Sequence, residues 1–481
     1  MRQQTKIIRL VIGFFLLVLF CGAFVFAQKG PKDKFIFGPL NPIKMPKVEK
    51  VQLPNGLQLF LVEDHEYPTI DLRAVVRAGS VFEPASKTGL AAITGQVLRT
   101  GGTATKSGDE IDKELETLAA TVETGIGLDS GYIMVSVMKE DIDKALAILA
   151  NILVNPAFAE DKINLAKILQ KTVISRRNDD IGGITSREFN KLIYGKDSPY
   201  ARHAEYETID AVTRDDILNF YNAYFHPNNT ILAVWGDFKS REMVNKIKAT
   251  IGKWKKGKAS AEPWPKVDYE YKYTVNYIHK PDVNQSNIII GHIGDRLNNS
   301  DYPALSVMNS ILSFDRMFKK IRTDEGLAYS VWGNYGANYV YPGVFSCGTQ
   351  TKSQSTVYAI ELMLKELKRI TTEEVSDEEL AKAKEQYLNS YVFNFDSKAK
   401  TVIRMMNYAY FGYPLDFTEK IKAGVEKVTQ ADVLRVARKY LHPDQVQILV
   451  VGKKEDFDKP LSTLGDVTEI DITIPSLLKK K

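Results

Sequence analysis

The chain has 481 residues, of which 44% are hydrophobic and 26% charged, and a formal net charge of +5. This length exceeds what one core fills, so at least two domains are expected, and the composition excludes a disordered chain or a coiled coil. Without the three cations of the amino-terminal segment the balance is +5 − 3 = +2, too near neutral to favour a nucleic-acid partner.

That segment reads as a targeting signal. Arg2, Lys6 and Arg9 precede an uncharged apolar run from Val11 to Ala27, and Val25 and Ala27 supply small residues for cleavage before Gln28. Residues 1–27 are therefore expected to be a signal peptide. The protein is then exported, periplasmic or secreted, with no membrane span after cleavage. An uncut leader would instead anchor it, although the 17-residue run lies at the short limit for a span. Cleavage removes Cys21 and leaves Cys347 without a disulfide partner. Its setting, "GVFSCGTQ", reads as a strand with a buried structural thiol.

After an extension over residues 28–46, "VQLPNGLQLFLVED" predicts a hairpin turning at Asn55-Gly56. "TIDLRAVVRAG" and "GYIMVSVM" predict strands. "GLAAITGQVLRTGGT" is compatible with a helix, and "EDIDKALAILANILVNP" predicts an amphipathic helix stopped at Pro156. The glycine-rich stretches "TGIGLDSG" and "DIGG" read as loops, since neither leads from a strand into a helix as a phosphate loop does.

A repeat then organises the chain. "VTRDDILNFYNAYFHPNNTILAVWGD", from Val212, matches "VTQADVLRVARKYLHPDQVQILVVGK", from Val428, at an offset of 216 residues without a gap. In each copy a threonine, Thr213 or Thr429, is placed to cap a helix, a His-Pro pair stops it, and an apolar strand follows. Two related halves are expected, residues 47–255 and 273–456, with an exposed linker over 256–272 and a tail over 457–481 that adds an edge strand. The fold class is α+β. Each half is a mainly antiparallel sheet with helices packed on one face.

Taken together, "LPNGLQLFLVED", "RAGSVFEP…TGLAA", the repeated segment and "KKIRTDEGLAYSVW" resemble the pitrilysin/insulinase zinc metallopeptidases (inverzincins), a group that includes the mitochondrial processing peptidase. The resemblance spans nearly all of residues 47–456. It implies a clamshell of two homologous halves of the LuxS/metallohydrolase type. Active members carry H-x-x-E-H, whose histidines bind zinc from one helix face while the glutamate serves as general base. Here the three positions hold Ala92, Gly95 and Gln96. The family's third ligand, a glutamate, would fall in "NLAKILQKTVISRR", from Asn164, which contains no acid. No two of the six histidines (His65, His203, His226, His279, His292 and His442) stand four apart to rebuild a site. Zinc sites yield roughly 10–16 kcal/mol of apparent binding energy through such donors, and alanine and glycine offer none.

The resemblance also implies that Arg322 and Tyr329 match an arginine–tyrosine pair that holds the substrate backbone and stabilises the tetrahedral intermediate. The simpler reading is an arginine in the last turn of a helix ended by Gly326 and a tyrosine that packs at a strand start. "ETGIGLDSGYIMVSV" resembles the family's peptide-binding edge strand. The expectation is a member with no catalytic residue, metal or cofactor of its own, inactive alone. It would pair with a zinc-bearing relative, which supplies the zinc, and act on an extended peptide. The alternatives are a structural scaffold or a stand-alone peptide-binding protein.

Overall fold

The tight turn at Asn55-Gly56 sets the first hairpin. Gly56 adopts φ +89°, open to glycine at no steric cost, and the Asn55 amide donates to Ile251 O at 3.1 Å. The computed structural model describes residues 43, 45–258 and 262–475. The segment read as a signal peptide lies outside them. Among the described residues, no helix is long and apolar enough to cross a membrane.

The first half runs β1 (Glu49–Gln52), β2 (Gln58–Glu63), β3 (Thr69–Val76), α1 (Leu90–Thr100), α2 (Gly108–Thr117), β4 (Thr121–Ile126), β5 (Gly131–Met138), α3 (Ile142–Val154), α4 (Glu160–Arg176), α5 (Ile181–Tyr194), α6 (Tyr206–Asp210), α7 (Arg214–Tyr224), β6 (Thr230–Gly236) and α8 (Ser240–Thr250). The second runs β7 (Thr274–His279), β8 (Gln285–Ile293), β9 (Asp295–Arg296), α9 (Tyr302–Ser310), β10 (Ala328–Tyr335), β11 (Ala337–Asn338), β12 (Val344–Lys352), α10 (Thr356–Thr372), α11 (Asp377–Tyr391), α12 (Lys398–Phe411), α13 (Phe417–Lys427), α14 (Gln430–Tyr440), β13 (Gln447–Gly452) and β14 (Val467–Glu469). Between α9 and β10, Ile311–Asp324 continues the helix with π geometry.

The two six-stranded sheets repeat one plan. Their orders are β1-β2-β6-β3-β5-β4 and β14-β7-β13-β8-β12-β10. The β2–β6 and β7–β13 pairs are parallel, and β14 joins β7 in parallel as the tail's edge strand. The repeated segments supply α7 with β6 and α14 with β13. Thr213 and Thr429 each complete a capping box, with Asp216 and Asp432.

Helices cover both faces of each sheet, not one as expected, and the second cover comes from the opposite half. Val402 and Met406 of α12 seal Phe60, Val62, Val75, Ile231 and Ala233 of the first sheet. Ile184, Phe189 and Ile193 of α5 seal Ile289, Ile293, Leu449 and Val451 of the second. Each of these valine, leucine, isoleucine, phenylalanine and methionine side chains contributes about 1.5–3 kcal/mol on burial. The central strands, apolar on both faces, need this double cover. The described residues from 45 onward accordingly form one compact unit. The stretch expected as an exposed linker is partly packed. Trp264 lies 5.1 Å from the Phe82 ring, and Tyr200 donates to Pro265 O at 2.8 Å. "DIGG" is likewise no loop. Gly182 and Gly183 form the first turn of α5, where the Asp180 carboxylate caps the Gly183 N–H at 2.5 Å.

Candidate functional site

The helix that would bear the metal motif is α1, and its start is built around one carboxylate. Glu83 accepts from the backbone N–H groups of Gly89 at 3.0 Å and Ala91 at 2.8 Å, satisfying donors that a helix start leaves open. Burial nevertheless pushes the Glu83 carboxyl above its ordinary value, opposed by those bonds and by the Arg202 guanidinium. Gly89 sits at φ +107°, and a side chain there would run into Ile209.

Further along, α1 is pressed onto β4. A Cβ on Gly95 would stand 2.5 Å from Ile126 N and 2.7 Å from Gly125 C, closer than such atoms approach. Thr124 Oγ1 donates to Gly95 O at 2.6 Å, and Arg99 reaches Glu123 at 3.4 Å across the same seam. The position of a general base therefore has neither the base nor room for one. Ala92, a turn before Gly95, and Gln96, directly after it, are half-buried. Zinc does not fit this set: Ala92 and Gly95 carry no donor, and one Gln96 amide does not replace two imidazoles. The helix expected to hold the third ligand, α4, offers none within Asn164–Arg176. Its outer face instead carries Leu165, Ile168, Leu169 and Val173, between 46% and 65% exposed. Among the described residues, no three His, Cys, Asp or Glu side chains are placed to hold a metal ion.

The second half is arranged differently. Arg322 lies in the last turn of the π segment, which ends with the Glu325 N–H on Lys320 O and Gly326 at φ +64°. Register between β10 and β12 shifts between Ala328 and Ser330, leaving Tyr329 as the extra residue of a bulge. The bulge turns its side chain outward to 83% exposure. Arg322 Nη1 donates to Tyr329 O at 2.7 Å, and the guanidinium stacks 4.5 Å from the Tyr329 ring and 5.0 Å from the Phe318 ring. The structure thus brings the two residues together as one preassembled unit, with Tyr329 exposed and Arg322 half-buried. No hydrogen bond, ion pair or ring contact among the described residues joins it to Ala92, Gly95 or Gln96.

The remaining sequence candidates are structural. His226 bonds Asn222 O at 2.7 Å, and His442 donates its backbone N–H to His292 at 3.3 Å. His65 pairs with Asp237 at the surface. Cys347 is fully buried in β12, and burial raises its thiol far above the ordinary value.

A family model described as insulinase (peptidase family M16) matches residues 59–178, and one described as the peptidase M16 inactive domain matches 211–387. The chain belongs to the M16 (insulinase) peptidase family. Among its M16 relatives, an uncharacterized zinc protease of Rickettsia felis is 27% identical over 402 residues, covering 81% of this chain and 93% of that one. A Helicobacter pylori protein named non-peptidase homolog YmxG is 23% identical, with 82% and 91% covered. Among solved structures, the M16 inactive domain from Pseudomonas fluorescens superposes with TM-score 0.76 at 23% identity, over 86% of this chain and all of that one. The periplasmic protease PqqL of Escherichia coli superposes with TM-score 0.70 at 15% identity, over 89% of this chain and 49% of PqqL. These likenesses establish the M16 fold of two homologous halves.

Three features of the site escaped the sequence reading. For Glu83, the only signal that could have found it is an acid six residues before Gly89, ahead of a helix start, in "RAGSVFEP"; its burial shows only in the structure. The bulge at Tyr329 and the contact of Gly95 with β4 depend on register and helix placement, which no short motif carries.

Proposed function

We propose that this M16 chain is exported by cleavage of residues 1–27 and serves as the non-catalytic subunit of a heterodimeric metallopeptidase. Its halves, residues 47–255 and 273–456, would close against a relative that carries an intact H-x-x-E-H. The substrate is an extended peptide, added as a strand to an exposed edge such as β4, whose open side has no backbone partner among the described residues.

The observation that carries this reading is the Tyr329 bulge with Arg322 docked on it. An exposed tyrosine held by a stacked arginine gains little for a monomer. It offers one phenolic and several guanidinium donors, already oriented, to a peptide carbonyl and to the oxyanion that develops on it. Within its own chain there is nothing to serve, since the Gly95 position is closed by β4. The printed names of the relatives, which include both zinc proteases and a non-peptidase homologue, fit a family in which chains of both kinds occur.

The test is cleavage of a quenched fluorescent peptide library by the mature chain, by the zinc-bearing relative, and by an equimolar mixture. Activity is expected chiefly in the mixture. Stoichiometric zinc and cleavage by this chain alone would overturn the proposal. No gain on mixing would leave the scaffold or the stand-alone peptide binder.

A further inference from the structure

A cavity away from α1 and Tyr329 forms where four segments meet. Trp264 comes from the stretch between the halves, Arg296 from β9, Tyr339 from the position after β11, and Phe411 to Lys420 from the end of α12 into α13. The space they line has a volume of about 520 Å³. Pockets for small molecules span roughly 300–1,000 Å³, so it has room for one aromatic group and what is attached to it.

Its wall is aromatic and held in place by the protein itself. Tyr339 stacks on Phe411 with ring centroids 4.3 Å apart and planes 6° from parallel. The Tyr413 ring meets Tyr339 edge-on at 5.2 Å, and its hydroxyl donates to Tyr339 O at 2.8 Å. Phe417 meets Tyr413 edge-on at 4.9 Å. Gly412 ends α12 at φ +78°, and a Cβ there would meet no atom within 4 Å. The glycine turns the chain past the cavity and leaves that side of it open.

Two cations stand at the rim. Lys420 lies 2.9 Å from Asp416, which compensates its charge. Arg296 is exposed, and its guanidinium has no carboxylate partner among the described residues. One positive charge is thus left over beside an aromatic wall. A guanidinium presents parallel donors that match a carboxylate. Aromatic edges and faces receive a further ring in T-shaped or offset contact.

We propose that this cavity binds a singly charged aromatic carboxylate, with its ring against Tyr339, Phe411 and Tyr413 and its carboxylate on Arg296. A free aromatic acid and the carboxyl-terminal Phe or Tyr of a peptide share this chemistry. The site uses none of the residues assigned to peptide cleavage, and it stands whether or not a zinc-bearing relative pairs with the chain.

Calorimetric titration of the purified chain tests it with three probes: 3-phenylpropionate, the acetylated tripeptide Ala-Ala-Phe with a free carboxylate, and the same tripeptide as its amide. The free tripeptide is expected to bind at least tenfold more tightly than the amide, as for about one charge-assisted contact. Arg296→Gln should remove that difference. Arg241→Gln, which deletes an exposed cation of α8, should leave it unchanged. A tripeptide that binds about tenfold tighter than 3-phenylpropionate identifies peptide ends as the source, and equal or weaker binding identifies the free acid. Either result upholds the site. Equal affinity for acid and amide, a difference that survives Arg296→Gln, or no binding of either acid at millimolar concentration would overturn the proposal.

Discussion

The seam between helix and edge strand occurs twice in this molecule, at α1 with β4 and at the π segment with β10. The sheets behind the two seams share one strand order. In the first seam the strand presses on the helix. Gly95 has no room for a side chain, and Thr124 and Glu123 tie β4 to α1. In the second, helix side chains reach out to the strand. Ser313 accepts from the Gly333 N–H at 3.0 Å, Asn309 donates to Gly333 O at 3.3 Å, and Arg322 holds Tyr329 O. The outer backbone of β10 is thereby capped, a protection that edge strands need, while the bulge presents Tyr329. One plan of strands thus carries a closed site in one half and a presented pair in the other. The difference lies in a few residues at the seam and not in the sheets.

Several changes would break or sharpen that contrast. Gly95→Glu is expected to cost more than about 3 kcal/mol, because the clash is with backbone and overpacked sites cannot yield. Urea unfolding checks this. Ala92→His, Gly95→Glu and Gln96→His together should leave the chain without zinc in a metal assay. A site regained by these three would mean that β4 moves aside.

The repeated histidines differ in the same way. His226 is tied locally, whereas His442 leans on His292, which is fully buried. His292 Nδ1 lies 2.7 Å from Ile293 O and donates to it, and Nε2 accepts from His442, a pattern that requires the neutral ring. Burial pushes its pKa from 6.5 to about 4. The unfolded chain therefore takes up the proton first as pH falls. The stability this group contributes is complete above pH 6.5 and declines toward pH 4 by up to about 3 kcal/mol. His292→Gln should flatten that part of the pH profile in unfolding experiments. Smallest of all, Ser313→Ala frees the buried side of Gly333 and should cost about 1 kcal/mol. Hydrogen exchange at Gly333 should rise, while β4 is unaffected.

Much of this organisation was legible in the chain. The 216-residue repeat fixed two halves, because capping threonine, His-Pro stop and apolar strand are local signals that each copy writes in full. Ala92, Gly95 and Gln96 declared the missing donors directly. The exchange of α5 and α12 between sheets was not legible. The apolar faces of Ile184 and Val402 say that they are buried, but not against which sheet. The same limit hid the tight approach of Gly95, since a glycine in a helix reads as a weak position until the strand beside it is seen.

The most direct measurement is kcat/KM of the equimolar mixture with Arg322→Ala in place of the natural chain, at matched dimer content. Arg322 is half-buried and its contacts are confined to Tyr329 and Phe318, so folding of the variant is checked alongside, and removal of one oxyanion donor costs about 100-fold. A fall of that order, with pairing unchanged, is the result predicted here. Undiminished cleavage would contradict the account and return Arg322 and Tyr329 to a stacking contact at the edge of β10.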